Sequence, residues 1–239
     1  MRLALSQKNL VVLPGLDGTG DLLSSFIAET ENKFETHLVR FPKHKPLVYQ
    51  QFFPCIREVL PWGKPYSLLA DSFSGHLALL FAEDQPQYLE SIILCSSFFT
   101  NPSSHTTWWN KFTGKDPFKP PFTKEFLKKY LFGEDCPEGL LDKAKEVFDS
   151  VPPEILEFRW NLAMKTESRR QLSTSNKPIL FLAGNQDALL HEKHLADLAL
   201  MQPKMEVMRF DAPHALLQRF PREAAAYVDA FIDQKLAVR

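Results

Sequence analysis

The sequence predicts an α/β fold, a mainly parallel sheet of about six strands flanked by helices and carrying an inserted helical lid, on three observations. Short aliphatic or β-branched runs recur along the chain. Segments of helical spacing separate most of them. The runs are mostly unalternated, as strands covered on both faces are.

The runs are Asn9–Leu13, Thr36–Phe41, Tyr66–Leu69, Ser91–Cys95, Pro178–Ala183 and Met205–Phe210, each bounded by turn chemistry. After the third, Leu77, Ala78, Leu80 and Phe81 are spaced as one face of a helix that must stop before Pro86. The last helix starts at Pro221 and carries Ala224, Tyr227, Val228, Phe231 and Ile232 toward the core. Between about Asn101 and Leu172 the alternation stops and only helical patterns remain, such as Leu140, Leu141, Ala144, Val147 and Phe148. This divides the chain into a core at 1–100 and 173–239 and an insertion at 101–172. Leaving after the fourth strand and returning at the fifth, the insertion belongs over the carboxyl ends of the strands, where open α/β sheets bind ligands. It holds 11 of the 29 aromatic residues, Trp108, Trp109, Phe112, Phe118 and Phe122 among them. A small lobe needs such side chains for its own core; a pocket wall is the second use for them.

Composition narrows the partners. A formal charge of -1 offers no broad basic field for nucleic acid. No apolar run has the length of a membrane span and the amino-terminal stretch is too short for a signal peptide, so the expectation is a cytoplasmic protein. Cys55, Cys95 and Cys136, an odd number widely spaced, fit reduced thiols better than a disulfide framework or a zinc site.

Chemistry concentrates at the ends of the strands. In Leu69-Ala70-Asp71-Ser72-Phe73-Ser74-Gly75 a serine stands where a strand turns sharply into a helix. A nucleophile there sits in a strained conformation that requires small residues two places to either side. Ser72 has Ala70 and Ser74, whereas Ser74 as nucleophile would need a small residue at His76. A serine hydroxyl also needs a base, and the base a third group to orient it. His214 follows the last strand directly, on the same sheet edge. His76 lies one turn into the helix after Ser72 and reads as structural; His191 and His194, in a string without zinc-protease spacing, read as surface residues. Asp187, in the loop after the fifth strand, is on its own a turn residue and with the other two the acid. A tetrahedral intermediate needs two N–H donors. Phe73 follows the nucleophile, and Leu16 lies in the turn Pro14-Gly15-Leu16-Asp17-Gly18-Thr19-Gly20 after the first strand. That turn could instead cradle phosphate, but it lacks the glycine register and the Lys-Ser/Thr pair of such loops, and Asp17 would repel the anion.

The strings Pro14-Gly15-Leu16-Asp17-Gly18, Ala70-Asp71-Ser72-Phe73-Ser74-Gly75, Gly184-Asn185-Gln186-Asp187 and Pro213-His214-Ala215-Leu216-Leu217-Gln218 resemble motifs of the α/β-hydrolase superfamily, especially its small lid-bearing bacterial carboxylesterases. The elbow departs from the family pattern by having Ala70 and Ser74 for glycines, and the expectation is a sheet of about six strands without the usual hairpin before the first. The resemblance implies a triad of Ser72, Asp187 and His214 and an oxyanion pair of Leu16 and Phe73. The expected substrate is a small-molecule ester or acyl compound, the Phe- and Trp-rich insertion pointing to an apolar acyl group, and an apparatus built wholly of protein needs no metal or organic cofactor. Thioesterase, amide, peptide or carbon–carbon hydrolase and acyltransferase chemistry share that apparatus. A silent binding protein of the same fold is the alternative of another class.

Overall fold

A computed structural model describes residues 7–84, 86–100, 122–190 and 192–237. Its six strands are β1 (Lys8–Leu13), β2 (Phe34–Leu38), β3 (Tyr66–Asp71), β4 (Leu89–Cys95), β5 (Ile179–Gly184) and β6 (Glu206–Phe210). They form one sheet in the order β2-β1-β3-β4-β5-β6, with every neighbouring pair parallel. The described helices are α1 (Ser24–Thr30), α2 (Phe53–Val59), α3 (Ser74–Glu83), α4 (Lys124–Leu127, running into a π-helical turn at Lys128–Phe132), α5 (Glu138–Asp149), α6 (Pro153–Met164), α7 (Arg169–Thr174), α8 (Glu192–Met201), α9 (Leu216–Arg219) and α10 (Pro221–Ala237). Among the described residues no helix is long and apolar enough to cross a membrane.

The unalternated strand sequences follow from burial on both faces. Val11, Leu13, Leu68, Ala70, Ile92, Leu94, Phe181 and Ala183 face a core closed by Ile56 of α2, Leu77, Ala78 and Phe81 of α3, and Leu195 and Leu198 of α8. The intervening residues Leu10, Val12, Leu69, Ile93, Leu180 and Leu182 meet Phe26 of α1 and Val228, Phe231 and Ile232 of α10. Removing one such side chain, as in Leu68→Ala, costs about 2–5 kcal/mol through lost transfer energy and a cavity.

Two expectations need correcting. The second strand begins at Phe34 and ends at Leu38, whereas the sequence suggested Thr36–Phe41. Phe34 enters the core and pairs with Lys8, while Phe41 turns off the sheet to pack on Phe52, ring centroids 4.4 Å apart. His194, read as a surface residue, is buried against Phe99, with ring centroids 5.5 Å apart. The periodicity of α8 explains it, since His194 falls on the same stripe as Leu195 and Leu198. Trp108, Trp109, Phe112 and Phe118, with His105 and His191, lie outside the described residues.

The strand order positions the site. The chain leaves β1 toward one edge and β3 toward the other, so a crevice opens outside their carboxyl ends. Ser72 and the turn after Leu13 meet there. The β5 and β6 ends converge close by, because Gly184 has no side chain: a Cβ there would lie 2.3 Å from the Ala212 carbonyl oxygen and 2.7 Å from that of Pro213. Gly184→Ala therefore forces apart the loops that carry Asp187 and His214, and should lower the urea midpoint by the equivalent of about 1–3 kcal/mol. Gly139→Ala is the control, since nothing lies within 4 Å of its added methyl; on a helix it should leave the midpoint unchanged or raise it slightly.

Candidate active site

Ser72 stands in the two-residue turn between the end of β3 at Asp71 and the start of α3 at Ser74. Its φ is 46°, in the left-handed region, at a cost of about 1–3 kcal/mol for a residue other than glycine. The surroundings hold it there. The Ser72 N–H donates to the Cys95 carbonyl at 2.8 Å, extending the β3–β4 ladder past the strand end. Ala70 and Ser74 are both fully buried, and the Ser74 hydroxyl donates to the Pro14 carbonyl, tying the elbow to the turn after β1. At Gly75 a Cβ would fall 2.3 Å from that of Ser97, so this glycine lets the first turn of α3 lie against the end of β4.

Three of the side chains singled out in the sequence meet in one hydrogen-bonded chain. The Ser72 hydroxyl lies 2.8 Å from His214 Nε2, and His214 Nδ1 lies 2.8 Å from Asp187 Oδ2. A carboxylate only accepts, so the imidazole proton stands on Nδ1 and leaves Nε2 free to accept from the serine. The other Asp187 oxygen accepts the N–H groups of Leu189 and Leu190 at 2.8 and 2.9 Å. Asp187 thus caps its own turn and orients His214 at once. Phe98 stacks on the imidazole with centroids 5.7 Å apart and shields it from water. Burial alone would lower the pKa of His214, but the charge and hydrogen bond of Asp187, with the charge of Asp71 beyond, hold it above its ordinary 6.5. His76 stays apart from this chain, with its Nδ1 on the Ser168 hydroxyl, and burial lowers its pKa to about 4.

Leu16 and Phe73 both line the cleft over Ser72. Among the described residues neither backbone N–H has a hydrogen-bond partner. The turn bearing Leu16 is held by a residue the sequence reading overlooked. Arg159 of α6, 1% exposed, donates from Nη1 to the carbonyls of Leu16 (3.1 Å) and Asp17 (2.6 Å) and from Nη2 to that of Pro42 (3.0 Å). Gly18, with φ 73°, leaves room for the guanidinium: a Cβ there would meet Arg159 Nη1 at 2.5 Å. The signal was present as a cation on the apolar stripe Ile155, Leu156, Arg159, Trp160, Ala163. Asp17 accepts from the Thr19 N–H at 2.8 Å and from the Thr19 hydroxyl, bonds that pin the turn while burial raises the Asp17 carboxyl above the usual range.

The cleft spans about 580 Å³ of non-atom space, part of it open to solvent, and its wall is mostly apolar, with Leu22, Phe98 and Leu189 from the core and Phe132, Phe148 and Trp160 from the helices between β4 and β5. Those aromatics serve both uses considered from the sequence. Phe148 and Trp160 pack on Phe122, at 5.2 and 6.0 Å between centroids, and also face the cleft. The same segment grips the histidine loop: the Ala215 N–H donates to the Leu131 carbonyl at 2.7 Å, and Arg219 bonds the Phe132 carbonyl and Asp135. Among the described residues no group of three or more His, Cys, Asp or Glu side chains is placed to hold a metal ion.

The pKa of His214 depends on Asp187, which gives a direct check. Proton titration followed by NMR should find the His214 midpoint above 6.5 in the parent protein. In Asp187→Asn, with the opposing charge gone and burial remaining, the midpoint should fall below the parent value.

No family model matches the sequence, and no curated protein matches it. Solved structures do. The chain is similar to a bromoperoxidase from Bacillus anthracis at 16% identity and a TM-score of 0.78, over 95% of this chain and 92% of that one. It is similar to an esterase from Exiguobacterium antarcticum at 12% identity and 0.77, with the same 95% and 92% coverage. An enol-lactonase from Burkholderia xenovorans gives 14% identity and 0.76, again over 95% and 92%. The parallel sheet, its strand order and these likenesses over nearly the whole chain show that this protein has the α/β-hydrolase fold.

Proposed function

We propose that the protein is a serine hydrolase that cleaves carboxylic esters with an apolar acyl group through an acyl-enzyme. The observation that carries this reading is the chain from Ser72 Oγ through His214 to Asp187, with 2.8 Å at each link. The fold by itself does not, since bromoperoxidase, esterase and lactonase are all names attached to it.

Each step uses a side chain or backbone group named above. Ser72 Oγ attacks the ester carbonyl while His214 Nε2 takes the hydroxyl proton, and Asp187 stabilises the imidazolium without itself accepting the proton. The carbonyl oxygen, now anionic, receives the N–H groups of Leu16 and Phe73. Collapse breaks the bond to the alkoxy oxygen, which leaves as the alcohol with the proton from His214. Water then attacks the acyl-serine, giving its proton to the same nitrogen, and the acid departs as Ser72 regains its hydrogen. Arg159 acts as a positioning residue, because it fixes the consecutive Leu16 and Asp17 carbonyls within the turn that presents the Leu16 N–H. Leu22, Phe98, Phe148 and Trp160 give the acyl group an apolar bed.

Ser72→Ala and His214→Ala should each lower kcat on a short p-nitrophenyl ester by about 10⁴- to 10⁶-fold, with unchanged circular dichroism. In the parent protein kcat/KM should fall as the pH drops through the raised pKa of His214, because the imidazolium cannot accept the serine proton. A panel of matched ester, thioester and anilide substrates tests the leaving group; faster turnover of the thioester would overturn the ester assignment while keeping the nucleophile.

A further inference from the structure

One polar pair in the cleft has no part in the steps above. Asp71 closes β3 beside Ser72, is 4% exposed, and lines the cleft. Its Oδ2 accepts one hydrogen bond, from Gln218 Nε2 at 2.9 Å, and among the described residues its carboxylate has no other. The Gln218 amide must turn its NH2 toward the carboxylate, which leaves its Oε1 buried and without a partner. Two acceptors thus stand side by side in an otherwise apolar cleft with one donor between them. The buried, unpartnered Gln218 Oε1 is costly and the Asp71 carboxylate has a single donor, so an occupant that donates to the pair recovers the cost.

Two carboxylates meet at this corner of the cleft, with His214 on the other side of Asp71. A Cβ on Gly15 would lie 3.2 Å from Asp71 Oδ2 and 3.9 Å from Asp17 Oδ2, so the two carboxylates flank the same piece of backbone. Asp17 is served by Thr19, and the Arg159 guanidinium is taken by backbone carbonyls. Arg159 is thus committed elsewhere, and His214 is the cationic group whose charge reaches Asp71. Burial, only partly offset by Gln218 and the charge of His214, raises the Asp71 carboxyl to about 6, a sign of the same shortage of donors.

We propose that Asp71 and Gln218 form a polar subsite beside Ser72 that selects esters carrying a hydrogen-bond donor, a hydroxyl or an ammonium group, on an otherwise apolar body. This rests on the ester hydrolase reading. Substrates with a carboxylate at that place are rejected by Asp71 and Asp17, and fully apolar ones leave Gln218 Oε1 unmet and Asp71 with its single donor.

The test uses methyl esters of three- to six-carbon acids in matched sets: unsubstituted, or with a terminal hydroxyl, methoxy, ammonium or carboxylate group. At one or more chain lengths the parent protein should show at least tenfold higher kcat/KM for the hydroxyl or ammonium ester than for its methoxy partner, with the carboxylate ester slowest. Asp71→Asn should reduce the ammonium preference at least tenfold, and Gln218→Met should reduce the hydroxyl preference. A merely structural role would lower all rates together and leave the ratios alone. If Asp71→Asn does not fold, Gln218→Met carries the test. Hydroxyl, ammonium and methoxy esters turned over within twofold of one another at every length would overturn the subsite and leave the hydrolase reading intact. If nothing is turned over, the hydrolase reading fails, and titration calorimetry of the same esters with Ser72→Ala reads the subsite alone. Tighter binding of a donor-bearing ester, lost on adding Gln218→Met, would support it; equal or undetectable binding across the set would overturn it.

Discussion

The left-handed backbone at Ser72 is the constraint around which the rest is arranged. A φ of 46° at a serine is unfavourable in isolation, and it persists because the chain on both sides is fixed. The ladder to Cys95 holds the strand side, and the close approach of Gly75 to Ser97 holds the helix side. The two positions where bulk would collide with the turn are the buried Ala70 and Ser74. The result is a hydroxyl at the tip of a rigid strand, with the N–H of Phe73 beside it. Its strain is met by packing far larger than itself, since both faces of β3 lie in the core.

A second dependence runs through the segment between β4 and β5. It contributes Phe132, Phe148 and Trp160 to the cleft, and it also reaches both loops that flank Ser72. Arg159 holds the carbonyls of the turn after β1, and the Leu131 and Phe132 carbonyls receive the histidine loop. A wall that is bonded to the working loops couples cleft shape to site geometry, so substitutions in α6 reach the nucleophile without touching it. Arg159 is the strongest such link, a cation 1% exposed whose charge is met mainly by backbone oxygens. Burial brings its pKa down to about 10, opposed by Asp17, so it remains protonated at neutral pH.

The sequence carried most of the fold because buried parallel strands write themselves as continuous aliphatic runs. Five of the strands lie within about two residues of the runs read for them, and only β2 ends further off, at Leu38 where the run reached Phe41. That strand is at the sheet edge and half-exposed, so Phe34 and Phe41 gave competing signals. Ser72, Asp187 and His214 were legible from chain order and loop position, and the structure brings their side chains together. Arg159, Asp71 and Gln218 were not read as site residues. Each depends on contacts across 143 or 147 positions of chain, which no local pattern records. His194 was misread for a related reason, since a histidine on an apolar stripe looks polar until its stacking partner Phe99 is in view.

Intact-mass analysis after exposure to a fluorophosphonate, run beside Ser72→Ala, tests the central claim most directly. The account predicts one adduct on the parent chain and none on the variant, because only a serine whose proton His214 can take will attack phosphorus. An unlabelled, folded parent, or equal labelling of Ser72→Ala, would contradict it.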